Sequence, residues 1–188
     1  MYIFNVKPIP MEEILKNLKQ KAREKEKENK KFLSVLKRQN KQNKVDEIIH
    51  DIHSETFDNI DCMECANCCK TTGPLFTDKD ISRIAGKLRM KDVDFISTYL
   101  AIDEDGDYVL KELPCAFLGE DNFCSIYDFR PKACREFPHT DSPKQSQLFD
   151  LLIKNTYECP AALKIVEEMK AHYANDKAFR PDTREKYR

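Results

Sequence analysis

Residues 61–70 read DCMECANCCK, and they set Cys62, Cys65, Cys68 and Cys69 within eight positions. A C-x-x-C turn brings two sulfurs to one ion, and tetrahedral sulfur sites suit zinc or iron–sulfur clusters. The first three cysteines also carry the spacing of the bacterial ferredoxin ligand run, whose fourth ligand is a cysteine followed by proline. Cys159-Pro160 is a candidate for that fourth place, although ferredoxins put it only about three residues on. Adjacent side chains such as Cys68 and Cys69 tend to point in different directions. That suggests neighbouring sites, or one ligand plus one supporting thiol.

Working outward, the remaining cysteines are Cys115, Cys124, Cys134 and Cys159, making eight in 188 residues. That density is below the ~8–10% typical of disulfide scaffolds. The opening MYIFNVKPIP lacks the apolar core of a secretory signal, and no apolar run approaches the ~20 residues that span a bilayer. The expectation is a cytoplasmic, non-membrane protein whose reduced thiols serve as ligands. The net charge of -1 hides a strong zoning. Residues 1–44 hold 13 Lys/Arg against 5 Asp/Glu, while residues 45–69 hold 7 acids and no Lys/Arg.

The pattern predicts a mainly α fold with a small β-hairpin: a compact, metal-stabilised cysteine-cluster domain preceded by a long N-terminal helix. Nothing between Met11 and about Glu55 breaks a helix. One long helix is expected, or two with a joint near Asn40–Asn43. Its heptad run (Met11, Leu15, Leu18, Ala22) fails at Lys25 and Asn29, so no sustained coiled coil is expected. Thr77 and Asp80 resemble a capping box ahead of an amphipathic helix. KDVDFISTYL reads as a short helix with Val93, Ile96 and Leu100 on one side, and DEDGDYVLKEL as a tight turn into a strand. CAFLGEDNFCSIY reads as a β-hairpin. Short helices are expected after Pro131, around Leu148, Leu151 and Leu152, and from Pro160 to about Tyr173. The expected division is 1–55 as a charged helical extension, 56–175 as the cysteine-cluster domain and 176–188 as a polar tail.

From CMECANCC through LPCAFL, FCSIYDFRPKACREFPH and ECP, the chain resembles the YkgJ-like cysteine-cluster family, bacterial proteins described as zinc- or iron-chelating domains and recognised by CxxCxxCC. The resemblance covers about residues 60–162 and takes in all eight cysteines. It implies metal chelation and leaves zinc and iron both open. It says nothing of the N-terminal helix.

The candidate metal ligands are Cys62, Cys65, Cys68, Cys69, Cys115, Cys124, Cys134 and Cys159. Cys69 and one of Cys115 or Cys124 are the first candidates for bystanders. Arg130, Lys132 and Arg135 flank Cys134. There Arg130 and Arg135 are expected to support the ligands, offsetting thiolate charge and donating hydrogen bonds to sulfur. The plainer alternative pairs these arginines with Asp128 and Glu136 at the surface. His50 and His53 share a helix face, which reads better as a solvated surface than as a metal site.

Other chemistry finds little support. No G-x-G-x-x-G or G-x-x-x-x-G-K-[ST] occurs, and Asp103–Asp107 starts like an EF-hand but lacks its later ligands. The Lys-rich helix could meet a protein partner; Glu24, Glu26 and Glu28 interrupt the field that nucleic acid would need. Three functions remain: a metal-binding module, a redox or electron-transfer iron–sulfur protein, and a protein-modifying enzyme akin to flagellin lysine-N-methylases. The last lacks a catalytic or nucleotide-binding motif.

Overall fold

The computed structural model describes residues 10–39, 42–176 and 179. The Pro10 carbonyl accepts from Ile14 N at 3.2 Å and opens α1 (Met11–Gln39), which α2 (Gln42–Phe57) follows. The joint expected near Asn40–Asn43 falls on residues 40 and 41, which lie outside the described set. Two one-turn helices come next, α3 (Cys62–Cys65) and α4 (Asn67–Thr71). Then come α5 (Asp78–Lys87) and α6 (Asp92–Tyr99), with the strands β1 (Leu100–Ile102) and β2 (Tyr108–Leu110). The chain closes with α7 (Lys132–Glu136), α8 (Phe149–Asn155) and α9 (Pro160–Ala174). No helix is long and apolar enough to cross a membrane, among the described residues.

Two apolar cores organise these elements. In the first, Leu33 and Leu36 of α1 and Val45 and Ile49 of α2 meet Phe149 and Leu152 of α8 and Ile165, Val166 and Met169 of α9. Each such fully buried side chain contributes roughly 1.5–3 kcal/mol. The N-terminal helices thus share a core with the last two. The buried stripe of α1 runs Leu18, Ala22, Asn29, Leu33, Leu36, so it continues through the position where the heptad reading stops. Asn29 is fully buried, and neither its amide nitrogen nor its oxygen has a hydrogen-bond partner.

The second core gathers Phe76, Ile81, Ile84, Phe95, Leu100, Leu110, Phe117 and Ile126. The capping box forms as expected: Thr77 Oγ1 accepts from Asp80 N, and Asp80 Oδ2 accepts from Thr77 N. On α6 the buried residue is Phe95, while Val93 stays 68% exposed. Leu100 joins this core and Ile96 packs against it as expected, so only Val93 departs from the expected side, while the Phe95 ring lies near Phe76 and Phe117. β1 and β2 pair antiparallel with Leu100 opposite Leu110 and Ile102 opposite Tyr108. Asp103 Oδ1 accepts from the amides of Asp105 and Asp107 across their turn, where Gly106 takes a φ of 87°. The EF-hand-like run is this turn. The hairpin expected at CAFLGEDNFCSIY shrinks to a single bridge, Leu118 with Cys124. One arm begins just after Pro114, which has no N–H to give a ladder, and the other turns at once into a 3-10 turn at Tyr127–Phe129.

Candidate metal centre

Cys159 belongs to the first core, and Cys115 and Cys124 pack against the second. Asp61 Oδ1 accepts from Met63 N at 2.7 Å and starts α3. α3 ends after one turn because Ala66 takes a left-handed φ of 44° and returns its N–H to Cys62 O at 2.8 Å. α4 then restarts the helix. Within it Cys68 and Cys69 are turned by roughly 100° from each other.

Hydrogen bonds tie this helix to two remote segments. Asn67 Nδ2 donates to Glu158 O at 2.8 Å, and Thr71 Oγ1 donates to Glu158 Oε2 at 2.6 Å, clamping α4 against the residue before Cys159. On the other side Cys69 O accepts from Cys115 N at 2.9 Å, and the Leu118 bridge holds Cys124 beside that segment. Cys134 rides on α7. The first amide of α7, Lys132 N, donates to Asp80 Oδ1 at 3.1 Å. Arg83 Nη2 donates to the same oxygen at 2.6 Å and to Arg130 O at 2.9 Å.

All eight cysteines are free thiols: Cys65 and Cys159 are buried, Cys62 is exposed and the others lie between. A small cavity of ≈ 30 Å³ is lined by Cys62, Cys65, Cys68 and Cys159, with Phe57 and Phe137 beside them. A larger one of ≈ 540 Å³, bounded by Lys19, Glu26, Lys30, Lys154 and Tyr157, contains no cysteine. Among the described residues, no three His, Cys, Asp or Glu side chains are drawn tightly enough together to hold an ion.

Burial pushes the thiols of Cys62, Cys65, Cys115 and Cys124 upward, and takes Cys134 and Cys159 to about 12. Neighbouring sulfurs reinforce this. Cys134 feels Cys69, Cys115 and Cys124, whereas Cys159 feels Cys62 and Cys65. A hydrogen bond from the Cys68 thiol lowers Cys69 to about 7, with Arg130 and Lys70 assisting, and the same bond raises Cys68. Arg130 bears electrostatically on Cys62, Cys69, Cys124 and Cys134, with its guanidinium 3.5 Å from the centre of the Tyr127 ring. Arg135 donates instead to Arg130 O at 2.6 Å. Glu136 lies near Lys132 and His139.

Thiols raised by burial hold their protons against water, and a soft cation displaces those protons by binding sulfur directly. The donor set therefore fits zinc or iron and suits magnesium or calcium poorly. A family model, CxxCxxCC, described as "Putative zinc- or iron-chelating domain", matches residues 61–162. The chain belongs to the CxxCxxCC family. No curated protein and no solved structure matches it.

The CxxCxxCC segment contains every cysteine and excludes α1 and α2. The two histidines of α2 lie outside it and serve the fold. His50 Nε2 donates to Ser142 O at 3.1 Å, and His53 Nδ1 lies 2.8 Å from Thr140 Oγ1, so this face is a docking site for the 139–145 loop rather than a solvated surface. Sequence reading missed the residues that position the CxxCxxCC sulfurs: Asn67, Thr71 and Glu158 on one side, Asp80 on the other. Only Asp80 carried a signal, its capping box, and that signal does not disclose its bond to Lys132.

Proposed function

We propose that the protein is a cysteine-ligated zinc or iron protein in which Cys62, Cys65, Cys68, Cys69, Cys115, Cys124, Cys134 and Cys159 supply the ligands. The observation that carries this reading is the CxxCxxCC match over residues 61–162, within which all eight cysteines are free thiols and Cys62, Cys65, Cys68 and Cys159 line one small cavity. When bound, the metal supplies a cross-link between distant chain segments and, if it is iron, a carrier for electrons. The chain's own residues do the rest. Asn67, Thr71 and Asp80 orient the segments, and Arg130 offsets the charge of about -2 that four thiolates leave around a divalent ion. Arg135 acts one step back, through the Arg130 carbonyl.

The redox alternative draws on one feature, the vicinal Cys68–Cys69 pair, whose shared proton leaves Cys69 near 7. A thiolate at neutral pH is the form that reacts. Anaerobic purification followed by metal analysis and an absorption spectrum separates the readings. Colourless protein with zinc establishes the structural module; a brown chromophore with iron and sulfide establishes the redox centre. Metal-free, stably folded protein after anaerobic reconstitution overturns both.

A further inference from the structure

We infer that the eight cysteines form two separate four-sulfur centres, divided at the Cys68–Cys69 peptide bond: Cys62, Cys65, Cys68 and Cys159 in one, Cys69, Cys115, Cys124 and Cys134 in the other. This rests on the metal-binding reading above and assigns its ligands.

The cavity and the core memberships support this partition. The cavity of ≈ 30 Å³ is lined by the first four sulfurs and by none of the second four. The side chains of Asn67 and Thr71 hold α4 to Glu158, next to Cys159, while the backbone oxygen of Cys69 receives the amide of Cys115. Core membership agrees as well. Cys159 belongs to the core built on α1, α2, α8 and α9, while Cys115 and Cys124 pack against the core of α5, α6 and the sheet. Cys134 rides on α7, whose first amide is held by Asp80 of α5, a helix of the second core.

The vicinal pair then has a structural purpose. Successive residues on a helical turn diverge by roughly 100°, so one short helix delivers Cys68 to one centre and Cys69 to the next. No cysteine is left as a bystander. Arg130 bears on members of both sets, Cys62 in the first and Cys69, Cys124 and Cys134 in the second. A single guanidinium thereby offsets charge at two neighbouring anionic centres.

The test uses the full chain, purified anaerobically and loaded with zinc alone. Native mass spectrometry should give two metal ions per chain. Stepwise removal with a chelator, with maleimide labelling and peptide mapping at each step, should expose thiols in two blocks of four with the stated memberships. C159S should lose one ion and expose Cys62, Cys65 and Cys68 while leaving the other block protected; C134S should do the converse. Because either variant could fail to fold, the stepwise mapping on the unaltered chain stands as the deciding measurement. One ion per chain, or labelled blocks that mix the two sets, overturns the division while leaving metal binding intact. A chain that takes up no zinc at all overturns the parent reading, so the two failures are distinguishable.

Discussion

Replacing Asp80 with alanine should destabilise the protein by about 3–4 kcal/mol, a large share of the ~5–15 kcal/mol that holds a domain together. Asp80 is 2% exposed and accepts four hydrogen bonds. Thr77 N and Thr77 Oγ1 donate at 3.1 and 2.7 Å, Arg83 Nη2 at 2.6 Å and Lys132 N at 3.1 Å. Loss of the capping interaction alone costs about 1 kcal/mol. Removing the anion from a buried pair costs roughly 3–5 kcal/mol where the cation is stranded. Arg83 is partly exposed and keeps the carbonyls of Phe129 and Arg130, so the lower end of that range applies. Asp80→Asn retains an acceptor and should cost about 2 kcal/mol.

Urea unfolding of the zinc-loaded chain measures this. With a slope of ~1–3 kcal/mol/M, the alanine midpoint should fall by roughly 1–4 M at unchanged slope. Acid titration supplies a second reading. Burial opposes ionisation of Asp80, but the bonds from Thr77, Arg83 and Lys132 outweigh it and hold the carboxyl below its ordinary range. The unfolded chain therefore binds the proton first as pH falls. The stabilisation is complete above the unfolded value of ~3.9 and is lost as pH drops through the folded one. Asp80→Asn should flatten that acid limb. An alanine variant within about 1 kcal/mol of the parent would refute the claim that Asp80 joins α5 to α7.

Asn29→Leu should raise stability by about 1–3 kcal/mol in the same urea assay, since it replaces a buried amide with two unpaired polar atoms by an apolar side chain; a loss would show that this amide is satisfied in solution. Burial lowers the pKa of His53, with Asp141 raising it and His50 lowering it further. The unfolded chain takes up that proton first, so the contribution is full above ~6.5 and fades as pH falls through the folded value; His53→Gln should remove this slope from melting temperatures measured between about pH 7.5 and 5.5. Stripping the metal from the full chain should expose the thiols to maleimide and lower the melting temperature, while far-UV circular dichroism keeps most of its helix signal. The core of α1, α2, α8 and α9 draws on one cysteine only, Cys159. Complete loss of helix on chelation would contradict that.

How much of this was legible follows from what sequence patterns encode. Local chemistry was readable: the Thr77–Asp80 capping box, Pro160 opening α9 and the turn at Gly106 depend on neighbours a few residues away. Burial decided by distant partners was not. Asn29 reads as a polar break and is fully buried, because α8 and α9 cover the stripe whatever residue occupies it. His50 and His53 read as surface, because the loop that receives them lies about 90 residues away. For the cysteines, spacing announced Cys62, Cys65 and Cys68 as a set and nominated Cys159. It could not choose a partner for Cys69, because that choice rests on one backbone hydrogen bond to Cys115.

The contribution of a metal held as proposed above can be weighed against the hydrogen bonds that position the cysteine-bearing segments, Asp80 to Lys132 and Asn67 and Thr71 to Glu158. Hydrogen bonds of this kind each contribute only about 0.5–1.5 kcal/mol, somewhat more where a charge is involved. Structural zinc bound by thiolates contributes about 10–16 kcal/mol in small peptides. Even half of that would exceed these ties together. A cation held by thiolates from residues 62–69, 115–124, 134 and 159, as proposed, would therefore be the largest single contribution tying these segments, and its capture would be coupled to folding.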